Sequence, residues 1–497
     1  MSSSLELGDS TSRTPDFKER SMNAIAAAGR GPKRKGLVVM VSVVAALGGL
    51  LFGYDTGIIG VALLGLSKQF ALDDTLKQLV TGAIILGAIV GCVGTGRLSD
   101  RLGRRWTIVL VGAVFIAGSI LSAASTSVGM LIAARFILGL SAGSATQIIP
   151  VYIAEVTPPE HRGKLVVMFQ FMVVFGILVA YLVGYGLGEQ WRWMFGLGTV
   201  PAVILMLGML VLPESPRWLV SKGRESEALG ILERVRASRE GAQSEMAEIK
   251  EVSARPEGSW RDLFQPWIRP ALVAGVGIAM FSQITGNNAL IYYAPTILSQ
   301  AGFGDSASVL AAIGGAVLIN LATILGIFLV DRIGRKRFLL WMVPGSAVAL
   351  VIMGILFVGG APEDAFSQYA LVACLAIYMA LNCSFGVCLW LINAEVYPLF
   401  VRGKGASMGA LSHWVFNLLV TLTTLSLISA LGTSGTFWLY AVITTIALVF
   451  IVRYVPETMG RSLEEIESDL KAGVFFPADK SRGDSKRSSV EATSAVE

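Results

Sequence analysis

Charged side chains are scarce in this chain. Asp, Glu, Lys and Arg make up 15% of its 497 residues, where a soluble globular domain carries about 25%. With 54% hydrophobic residues and 55 glycines, the shortage points to lipid as the solvent, where small residues let helices approach closely. Histidine is rarer still: the two present, His161 and His413, are too few for a histidine metal cluster. The four cysteines, Cys92, Cys374, Cys383 and Cys388, lie in apolar runs without metal-ligand spacing. They read as small buried apolar residues, which leaves no disulfide or metal framework. There is no P-loop, no G-x-S-x-G and no zinc pattern, so no enzyme is expected and no cofactor is called for. The net charge of +5 reads as basic cytoplasmic loops, not as a nucleic-acid surface.

What the chain does have is long apolar runs. A helix needs about 20 apolar residues to cross the hydrocarbon core. Candidate spans lie near 37–64, 77–96, 106–125, 130–153, 165–187 and 193–212, and again near 270–298, 309–330, 338–360, 368–394, 404–428 and 435–455. The fold class is therefore an all-α membrane protein with twelve transmembrane helices. Residues 1–36 form a polar head expected to be disordered, with no cleavable signal peptide; the first apolar run serves as an uncleaved anchor. A six-helix bundle is expected over 37–213 and another over 270–456. A charged linker with short helices joins them over 214–269, and a cytoplasmic tail covers 457–497.

Loop charge sets the orientation. Arg and Lys crowd the head, the loop after the second span (Arg97, Arg101, Arg104, Arg105) and the loop after the eighth (Arg332, Arg335, Lys336, Arg337). The alternate loops are nearly free of them, so the positive-inside rule puts both termini in the cytoplasm. The first outer loop has no N-x-S/T acceptor, and the sole one, Asn382-Cys383-Ser384, falls inside a span. A bacterial plasma (inner) membrane is the expected location. Oligomeric state is not legible.

The two groups of six repeat each other. G-R-L-S-D-R-L-G-R-R at 96–105 matches V-D-R-I-G-R-K-R at 330–337. A-E-V-T-P-P-E-H-R-G-K at 154–164 matches A-E-V-Y-P-L-F-V-R-G-K at 394–404, and P-E-S-P-R-W-L at 213–219 matches P-E-T-M-G-R-S at 456–462. A six-plus-six duplication is a transporter architecture, with substrate held near the midplane between the halves.

With G-Y-D-T-G at 53–57, A-R-F-I-L-G at 134–139, P-V-Y-I-A-E at 150–155 and Q-I-T-G-N-N-A-L-I-Y-Y-A-P at 283–295, the chain resembles the sugar porter family of the major facilitator superfamily. The resemblance implies two halves rocking about a central site. It implies proton-coupled symport of a monosaccharide or polyol, with protons and the lipid bilayer as its other partners. A facilitative uniporter is the alternative, and a sugar-sensing receptor a lesser one, since 472–497 is a short tail. Asp100, Arg104, Glu155, Arg162, Arg217, Asp331, Arg335, Glu395, Arg402 and Glu457 are expected to form a cytoplasmic gate of ion pairs between the halves. The plainer reading of the same charges is that they only set topology.

Asp55 in the first span and Arg135 in the fourth are charges placed inside the bilayer. Each costs about 2.5–3.5 kcal/mol at a helix centre on insertion scales, which only a partner, water or a function makes tolerable. In proton-coupled members of the resembled family an Asp at this position takes the proton, with the Arg as partner; the alternative is a purely structural ion pair. A hydroxylated substrate needs amides, which both donate and accept, and aromatic faces. The resemblance carries Gln170, Gln283, Asn288, Trp390, Trp414 and Asn417 to that role; Asn287, Asn382 and His413 join them by proximity. Gln283 and Asn287, four apart, are expected to share a helix face. Interhelical packing is the alternative for each. Departures from the family pattern at Ser282, Asn287 and G-V-C-L-W (386–390) indicate a reshaped pocket, so hexose, pentose and inositol stay open.

Overall fold

The computed structural model describes residues 32–236, 238–254 and 258–476. The expected disordered head and the end of the tail thus fall outside the described residues. All regular structure among the described residues is helical. The N-terminal group comprises α1 (Pro32–Phe70), α2 (Asp74–Leu102), α3 (Arg104–Ala123), α4 (Val128–Val156), α5 (Pro159–Leu187), α6 (Trp191–Leu197) and α7 (Thr199–Val211). Short linker helices follow: α8 (Pro216–Ser221), α9 (Glu225–Val235) and α10 (Arg239–Ala254). The C-terminal group comprises α11 (Arg269–Ile284), α12 (Asn287–Gln300), α13 (Asp305–Ile333), α14 (Arg335–Leu356), α15 (Ala365–Glu395) and α16 (Arg402–Tyr454), with α17 (Leu463–Ala472) after it.

Local sequence places the helix ends. Asp73 caps α2 by accepting the Leu76 N–H at 2.7 Å, and Asp364 caps α15 by accepting that of Ser367 at 2.9 Å. Such caps satisfy donors that a helix start leaves unpaired. Among the described residues, ten helices are long and apolar enough to cross a membrane. One of them, α16, turns back at Gly432, where φ is +73°, and crosses twice. Helices α11 and α12 are too short alone and make one crossing together, broken at Gly286 with φ +93°. Twelve crossings result. Large apolar side chains such as Phe328 and Trp341 are exposed on the outside of the bundle, as a lipid-facing surface requires. On α4, Gly139 and Gly143 press against the Ile84 and Ala88 carbonyls of α2, with no room for a Cβ at either position. That G-x-x-x-G is a close helix crossing.

The halves touch from the middle of their helices to one end. There Asn320 donates to the Val174 carbonyl at 3.0 Å, Tyr181 to the Ile291 carbonyl at 2.7 Å and Ser429 to Asp74 at 3.2 Å, and Lys68 pairs with Asp305 at 2.7 Å. Asn320 and Val174 lie near the middle of their helices, and the other contacts lie in the parts remote from the repeated charged loops. Among the described residues, the polar contacts between the halves are confined to those regions, so the cleft opens toward the charged loops. The linker helices pack their own small core around Trp218, Leu219 and Leu232. Arg236 ties them to the end of α4 through the Val156 carbonyl at 3.2 Å.

Candidate substrate cavity, buried ion pair and charged loops

A cavity of about 780 Å3, counting its open mouth, lies between the halves. The N-terminal half contributes Phe52 and Thr56 from α1 and Gln170 from α5; the C-terminal half contributes Gln283, Asn287, Asn288, Trp390 and His413. Gln283 is not on the same helix as Asn287. The break at Thr285–Gly286 separates them, which corrects the expectation of a shared helix face. Both still reach the cavity because the break turns the end of α11 and the start of α12 toward it.

Hydrogen bonds order this wall. Asn288 Nδ2 donates to Gln283 Oε1 at 2.9 Å, and Gln283 Nε2 lies 3.0 Å from His413 Nδ1. The His413 ring packs against Trp390 and Trp414, each at a centroid distance of 5.5 Å. Asn287 Oδ1 is buried without a partner among the described residues, an acceptor available to a hydroxyl. The cavity lining carries no formal charge, which suits an uncharged polar solute.

Three expected ligands stand behind this wall. Asn382 is fully buried, and neither of its polar atoms has a partner among the described residues. Trp414 packs on Phe52 at 5.6 Å, and Asn417 Nδ2 donates to the Tyr292 hydroxyl at 3.4 Å. Trp414 and Tyr292 line a second, smaller cavity that also holds Asp55 and Arg135. Arg135 Nη1 donates to Asp55 Oδ1 at 2.9 Å, and neither side chain is more than 6% exposed. Arg135 also lies over the Phe195 ring at 5.3 Å, while its Nε and Nη2 have no partner among the described residues. Phe52 and Thr56 line both cavities, so the ion pair sits beside the main one.

The charged loops form two matched clusters. Arg104 pairs with Asp100 at 3.2 Å and Glu155 at 3.0 Å; Arg335 pairs with Asp331 at 3.2 Å and Glu395 at 3.1 Å. Ser215 donates to Glu155 and Thr458 to Glu395, each at 2.5 Å. The expected gate residues are thus paired within one half in this structure. Glu457 binds backbone N–H groups instead of a cation, Arg402 donates to the Ala394 carbonyl at 2.6 Å, and Arg217 is exposed. The Arg162 side chain lies outside the described residues. Glu214 escaped sequence reading although P-E-S at 213–215 aligns with P-E-T at 456–458. It accepts the backbone N–H groups of Arg104 and Arg105 at 2.9 and 3.1 Å, and burial pushes its carboxyl above the ordinary range. Phe52, Thr56 and Thr323 were also missed as cavity residues; nothing in their local sequence marks them.

Comparison with known proteins adds four findings. The family described as "Sugar (and other) transporter" matches residues 41–470. The glucose transporter GlcP of Staphylococcus epidermidis is 39% identical, covering 87% of this chain and 97% of its own. The galactose-proton symporter of Escherichia coli is 34% identical, covering 89% and 97%. Among solved structures, the xylose transporter XylE from E. coli in a partially occluded inward-open conformation superposes with a TM-score of 0.75. It shares 28% identity and covers 86% of this chain and all of its own.

Proposed function

The chain belongs to the sugar (and other) transporter family, and on that premise we propose that it is a proton-coupled symporter of a monosaccharide or polyol. It is a multi-pass membrane protein and not an enzyme. The observation that carries the proton is the Asp55–Arg135 pair, buried at 2.9 Å beside the main cavity. A hexose, pentose or inositol fits an uncharged lining of amides and aromatic rings, and relatives named for glucose and for galactose with protons support the class.

The step follows from charge. Ionised Asp55 offsets the Arg135 cation. Protonating Asp55 leaves that cation buried with two of its nitrogens already unpartnered. Breaking a buried pair from one side costs about 3–5 kcal/mol. A conformation that rehydrates Arg135 relieves the cost, so protonation biases the rocking of the halves. Trp414 and Phe52 connect the pair to the sugar cavity, and let bound sugar and proton favour the same state. One charge moved through 100 mV is worth about 2.3 kcal/mol. At 1.36 kcal/mol per tenfold, that supports roughly a 50-fold gradient for one-to-one symport.

In this reading both termini and the charged loops face the cytoplasm of a bacterial plasma membrane, and the structure is inward-facing. The Asp100, Arg104, Glu155 and Asp331, Arg335, Glu395 clusters re-form against one another as that side closes. The test is sugar-induced alkalinisation in lightly buffered vesicle suspensions. Wild type should consume external protons on addition of its sugar and Asp55→Asn should not. Sugar entry without any proton movement in wild type would leave a facilitative uniporter.

A further inference from the structure

We propose that His413 sets the hydrogen-bond polarity of the sugar site, and that its protonation reverses that polarity and weakens binding. The proposal rests on the cavity being the sugar site and deepens that reading by adding a second, local dependence on pH. It begins with an asymmetry of donors. An amide nitrogen donates and cannot accept. Gln283 is oriented by Asn288 Nδ2, which donates to its Oε1 at 2.9 Å, so its Nε2 faces His413 Nδ1 at 3.0 Å. His413 Nδ1 must then be bare. The imidazole is neutral and carries its proton on Nε2, a donor available to the cavity that the ring lines. Asn288, with its nitrogen engaged, offers its oxygen to a second hydroxyl.

Adding a proton to Nδ1 sets two donors face to face. Gln283 has to turn so that its oxygen accepts from His413, which aims its nitrogen at Asn288. Asn288 must turn in response, placing its nitrogen where an acceptor had been. One proton thus converts the Asn288 acceptor into a donor and adds a cation to a cavity whose lining carries no formal charge. The groups that share the cavity lining with His413 offer no counter-ion. Ser282 and Gln283 come from α11, Cys383 and Trp390 from α15, Gln170 from α5 and Phe52 from α1. Trp414 packs on the ring from α16. Of these only the Cys383 thiol titrates; Asp55, Arg135 and Tyr292 face the adjoining cavity. One mismatched hydrogen bond of about 1.4 kcal/mol is tenfold in affinity, so the form with His413 protonated should bind sugar about tenfold more weakly than the neutral form.

The chain has two histidines, so His161→Gln leaves a single imidazole for selective 15N labelling. The sugar-free protein at pH 8 should show the Nε2–H tautomer, and Gln283→Leu should relax that preference. An Nδ1–H tautomer overturns the proposal. Equilibrium binding of D-glucose and D-xylose without a gradient, in the Asp55→Asn background, should weaken about tenfold at the pH where the 15N spectrum shows the imidazolium, and His413→Gln should abolish that dependence. The same pH dependence in His413→Gln would refute the relay. If neither sugar nor inositol binds at any pH, the substrate reading fails, while the tautomer measurement still decides the relay.

Discussion

Glu214 seats its carboxylate on the backbone N–H of Arg104 at 2.9 Å, at the first turn of α3, and Glu457 repeats the contact with Arg335 at 2.9 Å on α14. Both helices start after a glycine with positive φ, Gly103 at +91° and Gly334 at +102°. A Cβ at either glycine would meet the facing carboxylate. A carboxylate at a helix N-terminus satisfies free N–H groups and opposes the positive end of the helix dipole. Two separate chain segments thus lock each charged loop to the segment after its half's last span.

Replacing either glutamate by alanine should lower thermal stability in detergent, by about 1–2 kcal/mol as for a lost cap. Gly103→Ala should lower it as well, since it strains φ and displaces Glu214. The cost should show in the melting temperature. A Glu214→Ala variant that melts like wild type would deny the lock.

The same group gives a pH dependence. Burial raises the folded-state value of Glu214. A raised carboxyl contributes stability that is present at low pH and is lost as pH rises through the folded value. Glu214→Gln keeps an acceptor and removes the titration. Its stability should therefore change less between pH 5 and pH 8 than wild type, as read by melting curves across that range.

Arg104 and Glu155 belong to one half, as do Arg335 and Glu395. Double-mutant cycles on the melting of the protein should give a coupling on the order of 1 kcal/mol within each pair. Arg104 with Glu395 should be additive within about 0.5 kcal/mol. A large cross-half coupling would mean that the charged ends stay in contact.

Gly60 on α1 approaches the Tyr292 carbonyl of α12, where an added Cβ would lie 2.9 Å away. Gly60→Leu should hold the halves apart at that end. Transport should stop while sugar binding persists, seen as equilibrium binding without vesicle uptake. Normal uptake by this variant would show that the contact is not needed for closure.

Gln283→Ala removes a donor and an acceptor from the cavity wall and leaves Asn288 Nδ2 unpaired. An unsatisfied buried polar group costs about 1–3 kcal/mol, so sugar affinity should fall roughly 5- to 150-fold. Asn382→Ala should alter stability more than affinity, because Asn382 is buried outside the cavity lining.

The architecture was legible because hydropathy and repeated loop motifs are local signals. The twelve crossings, the duplication and the intramembrane charges Asp55 and Arg135 could all be read from residue order. The break at Gly286 was not, because apolar character continues through 270–298 and only the backbone reveals the turn. Phe52 and Thr56 were missed because an apolar and a small polar residue in a span look like packing until two halves are brought together. Trp414 and Asn417, assigned to the sugar, lie in this structure beside the ion pair and Tyr292, with Trp414 also packed on His413. The gate residues were recognisable as charges, but which carboxylate faces which arginine depends on how far apart the halves stand.

The central claim is that Asp55 couples proton entry to sugar transport, and accumulation in proteoliposomes tests it most directly. Labelled hexoses, pentoses and inositols would be offered to wild type and Asp55→Asn under an imposed pH gradient. The account predicts that wild type concentrates one of them above equilibrium while Asp55→Asn only exchanges it. Wild-type uptake that never passes equilibrium and ignores the gradient would contradict it, leaving Asp55–Arg135 as a structural pair.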